Sequence, residues 1–494
     1  MEYTTILLWI LVVWVLHVFI SARKLFTGKL PPGPFPLPII GSLFKLGDKP
    51  HKSLAQLAKV HGSLMTIKLG SVTTIVVSSA SMAKEVLQTN DQHLSGRTVP
   101  DAMRILNHHE ASMVWSHSSL PQWRSLRKLC ASQIFTTQRL NENEGLRLMK
   151  VKDLIAFVRD SSKSRHAVNI GQAVFSTTLN IISNIIFSID LAQFNSESTQ
   201  DFKAAVWGVL EEAGRPNLAD YIPILRPFDP QGVRRRTATY FGKLDNLFDT
   251  LIDQRMQSNK EQNVPNDLLD TVLQYTQENG SKLRRLDITS LLKDLFIAGT
   301  DTSAGTLEWA MTELLRNPDI MAKARLELKE TIDKDKLIEE SDIAQLPYLQ
   351  AVVKETLRLH PPAPLLVPHR AETDVKICGF TVPRHAQVLV NAWTIGRDPE
   401  TWINPTAFLP DRFLGSKIDF RGRNFEFIPF SAGRRICPGL PLAYRMVHLM
   451  LASLLHTFDW ELEDGMTPED INMEAKFGLT LQKAKPLYAI PIEA

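Results

Sequence analysis

The chain has 494 residues, with 56 Lys and Arg against 53 Asp and Glu and a formal net charge of +3. Its basic residues are scattered, which leaves a nucleic-acid partner without support. The three cysteines, Cys130, Cys378 and Cys437, are too few for a disulfide framework. No C-x-x-C stands where zinc or a thioether-linked group would need it.

In chain order, the first predicted element is an apolar segment. Thr4 to Ala22 carries no Asp, Glu, Lys or Arg and is just long enough to span a bilayer. Glu2 precedes it and Arg23, Lys24 and Lys29 follow, a bias that keeps the following chain on the cytosolic side. A cleaved signal peptide is the competing reading, but the basic cluster follows the apolar stretch and no small-residue cleavage site is present. Residues 1–22 therefore read as an uncleaved single-pass anchor. Residues 23–40, ending in the run LPPGPFPLPII, read as a basic and Pro-rich hinge, semi-rigid and extended. No Gly/Ser-rich linker or low-complexity stretch follows, so residues 41–494 read as one large domain.

Within that domain most of the chain has helical period, and the strands are few. Leu64 to Ser79 predicts two short strands around Gly70, and Asp374 to Trp393 predicts a patch rich in hairpins. PQWRSLRKLC sets Trp123 and Arg127 four apart on one helix face, an arrangement that surface packing also produces. A long helix is predicted from near Asp287 to Asn317-Pro318. In its middle, Ala298-Gly299-Thr300-Asp301-Thr302 is a poor choice for helix stability: Gly costs roughly 1 kcal/mol against Ala, and Thr hydroxyls compete for carbonyls. Such a run marks either a close helix crossing or an opened turn. In the helix after Leu346-Pro347, Glu355 and Arg358 share a face that is largely apolar, and Arg412 in FLPDRF follows about fifty residues on.

The last element carries the chemistry. PFSAGRRICPG, Pro429 to Gly439, holds Cys437 in a turn crowded with Gly, Pro and Arg, directly before the apolar helix LPLAYRMVHLMLASLL. A buried thiolate needs backbone N–H donors and positive potential around it. Gly433 and Gly439 let the main chain bend and approach a flat group, and the following helix turns its positive end to the sulfur. Phe430 shields that sulfur, and Arg435 is placed to meet a carboxylate. We read Cys437 as the axial thiolate of a haem. The spacing Phe-x-x-Gly-x-Arg-x-Cys-x-Gly resembles the haem-binding loop of the cytochrome P450 superfamily.

That resemblance carries further expectations. It implies a mainly α chain with the cytochrome P450 fold, a small β subdomain and an N-terminal membrane anchor. It implies haem b as cofactor, held by Cys437 and by a shell of Arg435, Trp123, Arg127, Phe430 and Gly433, with Arg370 of VPHRA as a further propionate candidate. Ala298 to Thr302 resembles the oxygen-activation motif, with Thr302 and Asp301 as the proton-relay pair under an opened helical turn. Glu355, Arg358 and Arg412 match a buried Glu-Arg-Arg network. Two residues depart from the family pattern: Asp411 stands where Glu is usual, and Ser431 where Gly is usual.

From the hinge to the C-terminus, stretches such as RPNLADYIPILRPFDPQGVRRR, NAWTIGRDPETW and NMEAKFGLTLQKAKPL resemble the plant terpenoid-hydroxylating branch that includes geraniol hydroxylases. The resemblance implies O2-dependent hydroxylation of a lipophilic metabolite at the endoplasmic reticulum membrane, a monoterpene alcohol first, at its terminal allylic methyl. Prenylated phenols or quinols, diterpenes and phenolics are alternatives. A haem-thiolate isomerase or dehydratase and a non-catalytic haem protein are the rival classes. With no GxGxxG after a strand, electrons must come from another protein; the resemblance implies a membrane-bound NADPH-dependent flavoprotein reductase, for which Arg124, Lys128, Arg434 and Arg445 are docking candidates. Mapped by resemblance, the substrate pocket draws on Val99 to Trp115, Phe296 to Thr300, Ala363 to Val367 and Phe477 to Leu481. Asn107, His108, His109 and Glu110 are its candidate polar contacts.

Overall fold

The computed structural model describes residues 29–258, 267–278, 283–463 and 465–493, together with Thr5, Ile6, Trp9 and Val12. Apart from those four residues, the expected anchor and residues 23–28 of the hinge lie outside the described residues. The described end of the hinge and the residues just after it lie along the first strand: Thr66 N–H donates to Pro32 O at 2.8 Å and Ser42 N–H to Lys68 O at 2.6 Å. A Cβ on Gly33 would come within 1.7 Å of Thr66 O, so only glycine permits this approach.

Strands β1 (Leu64–Leu69) and β2 (Val72–Val77) form the expected hairpin around Gly70, in the register Leu64 opposite Val77. They join β3 (Gly96–Arg97), β4 (His369–Arg370) and β5 (Gln387–Val390) in a sheet of order β1-β2-β5-β4-β3. The β2 and β5 pair is parallel, so residues more than 300 apart are made neighbours. Val375–Ile377 and Phe380–Val382 form a separate hairpin.

Helices build the rest. Those that position the site are α1 (Pro121–Leu129), α2 (Ile170–Phe187), α3 (Glu197–Gly214), α4 (Arg285–Arg316), α5 (Pro347–Leu359) and α6 (Leu440–Thr457). Helix α2 is apolar and long enough to cross a membrane, yet 83% of it is buried inside the molecule, as a core helix is. It packs along α4, which at 1.5 Å per residue is about 48 Å long. Asp287 caps the start of α4, accepting from Arg284 N–H at 2.8 Å and from the Arg284 guanidinium at 3.1 Å, and Asn317 with Pro318 ends it.

The opened turn expected at Ala298 to Thr302 is not present: α4 is helical throughout. Thr300 and Thr302 hydroxyls donate back to Phe296 O and Ala298 O, at 2.7 and 2.6 Å, within the unbroken helix. Gly299 serves the close crossing instead. A Cβ there would lie 2.7 Å from Ile182 Cδ1 of α2.

The Glu-Arg-Arg network forms behind the site. Glu355 is fully buried and accepts from Arg358 Nε and Nη2, both at 2.7 Å, from Arg412 Nε at 3.1 Å and from Leu409 N–H at 2.8 Å. Arg358 also donates to Pro405 O at 2.7 Å and Ala407 O at 3.1 Å, which pins the 403–413 segment to α5. Asp411 stands outside this network, 3.3 Å from Lys323 at the surface.

Candidate active site

The loop before α6 folds back on itself: Cys437 N–H donates to Phe430 O at 2.9 Å. Gly433 has φ +65°, and a Cβ there would meet Leu87 O at 1.9 Å, so the turn admits no side chain at this position. Burial pushes the Cys437 thiol pKa up, against the N–H groups of Gly439 and Leu440 and the charge of Arg127. The sulfur thus meets the donor end of α6, the environment a thiolate ligand requires. Phe430 borders the same cavity, with its ring 5.5 Å from that of Phe420.

Three arginines gather beside the loop. Arg435 donates to Ser95 O at 3.0 Å, Met113 O at 3.1 Å and Ser116 O at 2.7 Å, and its guanidinium lies 4.7 Å from the Trp123 ring centre. Trp123 Nε1 donates to Met113 O at 2.9 Å, and Arg127 donates to Ile436 O. The third is Arg97 of β3, which donates to Val367 O at 2.5 Å and Val114 O at 3.3 Å. Burial, and then the charges of the other two, lower the pKa of Arg97; burial and Arg127 bring Arg435 down to about 10. Among the described residues no carboxylate pairs with any of the three.

Sequence reasoning did not single out Arg97. It lies in a two-residue strand with no periodicity to mark it, and only the sheet order carries it to this place. Arg370, which was expected in this shell, turns the other way. Its Nη2 contacts His385 Nδ1 at 2.6 Å at an exposed position. Neighbouring residues of a strand face opposite sides, and it is His369 that points inward, 3% exposed, with Nδ1 on Leu94 O at 2.8 Å and Nε2 without a partner.

Above Cys437, Thr302 and Ala298 of α4 line two adjoining cavities with Met113, Val114 and Phe430. Ala363, Leu366 and Val367 form a further wall, and Ile182 and Ile186 of α2 another. The α2 residues were absent from the sequence-based pocket, since nothing local tells a cavity-facing isoleucine from a core one. Phe296 packs instead against Phe187, Phe202 and Phe248 in the core. Past Leu366 a channel continues, bordered by Val99, Leu365, Phe477 and Leu479.

The structure separates the expected relay pair. Thr302 faces the cavities, while the Asp301 carboxylate turns to the far side of α4, where Thr480 Oγ1 at 2.9 Å and Gln482 Nε2 donate to it. None of Asn107, His108, His109 and Glu110 lines the cavities. His108 is buried against Asp294, Nε2 to Oδ1 3.2 Å, and Asp294 also accepts from Ser112 Oγ at 2.9 Å and Met113 N–H at 2.7 Å. This carboxylate of α4 holds the 108–115 loop over the cavity, a role no motif announced.

A thiol facing an apolar cavity, with two buried guanidiniums and the half-buried Arg127 beside it and no ion-paired acid on them among the described residues, fits a flat macrocycle bearing two carboxylates. The chain belongs to the cytochrome P450 family, whose profile matches residues 31–489. It is a haem-thiolate monooxygenase. Geraniol 8-hydroxylase of Catharanthus roseus is 52% identical over 99% of this chain and 99% of its own length. Geraniol 8-hydroxylase of Swertia mussotii is 53% identical over 93% of each. Among solved structures, a zebra fish cytochrome P450 with progesterone covers 90% of this chain and 99% of its own at a TM-score of 0.77 and 25% identity.

Proposed function

We propose that this enzyme hydroxylates a monoterpene alcohol such as geraniol at its terminal allylic methyl, at the endoplasmic reticulum membrane. One C–H bond becomes C–OH, with one O2 and one NADPH plus a proton consumed and one water released. The observation that supports this reading most is full-length similarity to two geraniol 8-hydroxylases around a cavity bounded by Ala298, Val114, Ile182 and Leu366. An apolar wall excludes water and takes a hydrocarbon tail.

The haem, when bound, supplies O2 binding and reductive O–O cleavage. Cys437 would hold it through its thiolate, Arg97, Arg127 and Arg435 would pair with its carboxylates, and Trp123 is the plate on which Arg435 is oriented. In this reading Thr302 Oγ passes a proton at the cavity wall, and Asp301, whose carboxylate is held by Thr480 and Gln482 on the other side of α4, is the acid that supplies it. A haem-thiolate isomerase would need neither group.

Arg124 and Lys128 are exposed on α1 without a pairing acid among the described residues, and are our reductase-docking residues. Arg434 is less free, 3.2 Å from Asp91, and Arg445 is engaged by Glu340 at 2.8 Å and Asn141 at 2.9 Å. On the side we assign to the membrane, Phe35 and Ile39 of the hinge, Phe44 just after it, and Ile224 and Phe228 of the 218–228 segment are exposed. Both segments flank the β1–β2 turn, since Ser71 donates to Tyr221 O and Gly70 N–H to Ile40 O. This apolar rim beside the channel suits a bilayer surface.

The test is NADPH-dependent turnover of geraniol by membranes holding this chain and a plant reductase, with the carbon monoxide difference spectrum as folding control. A terminal-methyl alcohol is the expected product. No product from an enzyme with a thiolate-type spectrum overturns the substrate and moves the search to prenylated phenols, since a geranylhydroquinone 3''-hydroxylase of Arnebia euchroma is 48% identical to this chain.

A further inference from the structure

The acid of the proposed relay is not held by α4 alone. Asp301 is 4% exposed, and burial raises its pKa. Both of its oxygens are taken by one β-hairpin, β6 (Ala475–Phe477) and β7 (Leu481–Lys483): Thr480 Oγ1 donates to Oδ2 at 2.9 Å and Gln482 Nε2 donates to Oδ1. Lys203 of α3 is the nearby cation, close enough to favour the carboxylate but not bonded to it.

The tip of the same hairpin is fixed from two sides. Leu479 N–H donates to Leu210 O of α3 at 2.7 Å, and Leu481 N–H donates to Pro362 O at 2.8 Å on the cavity wall. A Cβ on Gly214 would lie 2.0 Å from Gly478 C, so α3 ends in direct contact with the turn. Phe477 and Leu479 meanwhile border the channel. Leu479, which lines the channel, is therefore adjacent in sequence to Thr480, which holds the acid.

We infer that Thr480 and Gln482 are positioning residues for proton delivery: the hairpin tip fixes where the Asp301 carboxylate sits relative to Thr302. The inference rests on reading Asp301 and Thr302 as the relay. Held by two donors on the far side of the helix, the carboxylate keeps one position, and the proton path to Thr302 starts from there. With the two donors removed, the buried acid loses its fixed orientation and O2 reduction runs ahead of proton supply, releasing peroxide in place of product.

The experiment compares the full-length enzyme with Thr480→Val/Gln482→Leu, Thr480→Ser and Asp301→Asn, in membranes with reductase and geraniol. For each it measures product formed per NADPH, hydrogen peroxide, the solvent deuterium isotope effect on kcat, the substrate-induced spin shift and the carbon monoxide spectrum. Expected for the double variant is a coupling ratio lowered at least threefold and a larger isotope effect, with the midpoint of the spin shift unchanged. Thr480→Ser, which keeps the donor, retains wild-type coupling. Unchanged coupling in the double variant, with Asp301→Asn uncoupled, overturns the hairpin's role and leaves the relay standing. Unchanged coupling in Asp301→Asn overturns the relay, and the hairpin's role with it. Loss of product only in proportion to loss of the carbon monoxide spectrum makes the hairpin merely structural and also overturns the inference.

Discussion

At the scale of single residues, Cys437 and Thr302 carry the chemistry and Ser431 carries strain. Serine replaces thiolate with a hard, weakly acidic hydroxyl, so Cys437→Ser is expected to abolish the thiolate-type carbon monoxide spectrum; its persistence would remove Cys437 as ligand. Thr302→Ala takes away the only hydroxyl of the Ala298–Thr302 run that faces the cavity. Uncoupled NADPH use, measured as peroxide released without product, is the expected result. Ser431 has φ +63°, where a β-carbon costs roughly 1–2 kcal/mol. Its buried Oγ also has no hydrogen-bond partner. Glycine relieves both terms and loses part of the gain to unfolded-chain entropy, so Ser431→Gly is expected to stabilise the protein by about 1 kcal/mol. Chemical denaturation of wild type and variant measures it.

Among elements, the junction of α5 with the 403–413 segment depends on one carboxylate. Glu355 and Arg358 are both buried, and leaving either charge without its partner costs about 3–5 kcal/mol. Arg358→Lys retains the charge but loses the fork that reaches Glu355, Pro405 and Ala407 together. It is expected to cost nearly as much, read as a lowered denaturation midpoint and a smaller haem-bound fraction. The α4 helix illustrates a different point. Its small-residue run serves the crossing with α2 through Gly299, while Thr302 looks into the cavity, and the two roles coexist because residues three apart share one helix face, which here borders both Ile182 of α2 and the cavity.

Across the whole molecule, buried histidines such as His51 contribute to the loss of stability in acid. Burial, with the charges of Lys52, Arg397 and Lys49, lowers the His51 pKa from 6.5 to about 3. Below pH 6.5 the unfolded chain takes up a proton that the native state refuses until about pH 3, so stability falls as pH falls across that window. The slope is about 1.4 kcal/mol per pH unit for such a group. His51 stacks on the Phe477 ring at 5.4 Å, a place an apolar ring can fill. His51→Phe is therefore expected to flatten the acid limb of thermal midpoint against pH, and an unchanged slope would assign the limb to other groups.

What the sequence by itself determined is whatever depends on residues close together in the chain. The loop around Cys437, the ends of α4 at Asp287 and Asn317, the β1–β2 hairpin and the start of α5 at Pro347 are local in this sense, because capping, turn and spacing preferences act over a few residues. Tertiary structure decided the rest. Arg97 reaches Arg435 only through the order of five strands, and His369 replaces Arg370 because register chooses the inward face. Asp301 parts from Thr302 because a hairpin nearly 180 residues away offers two donors, and Ile182 becomes a cavity wall because α2 crosses α4 at Gly299. Each of these contacts depends on which surfaces packing brings together, and no short-range preference encodes that.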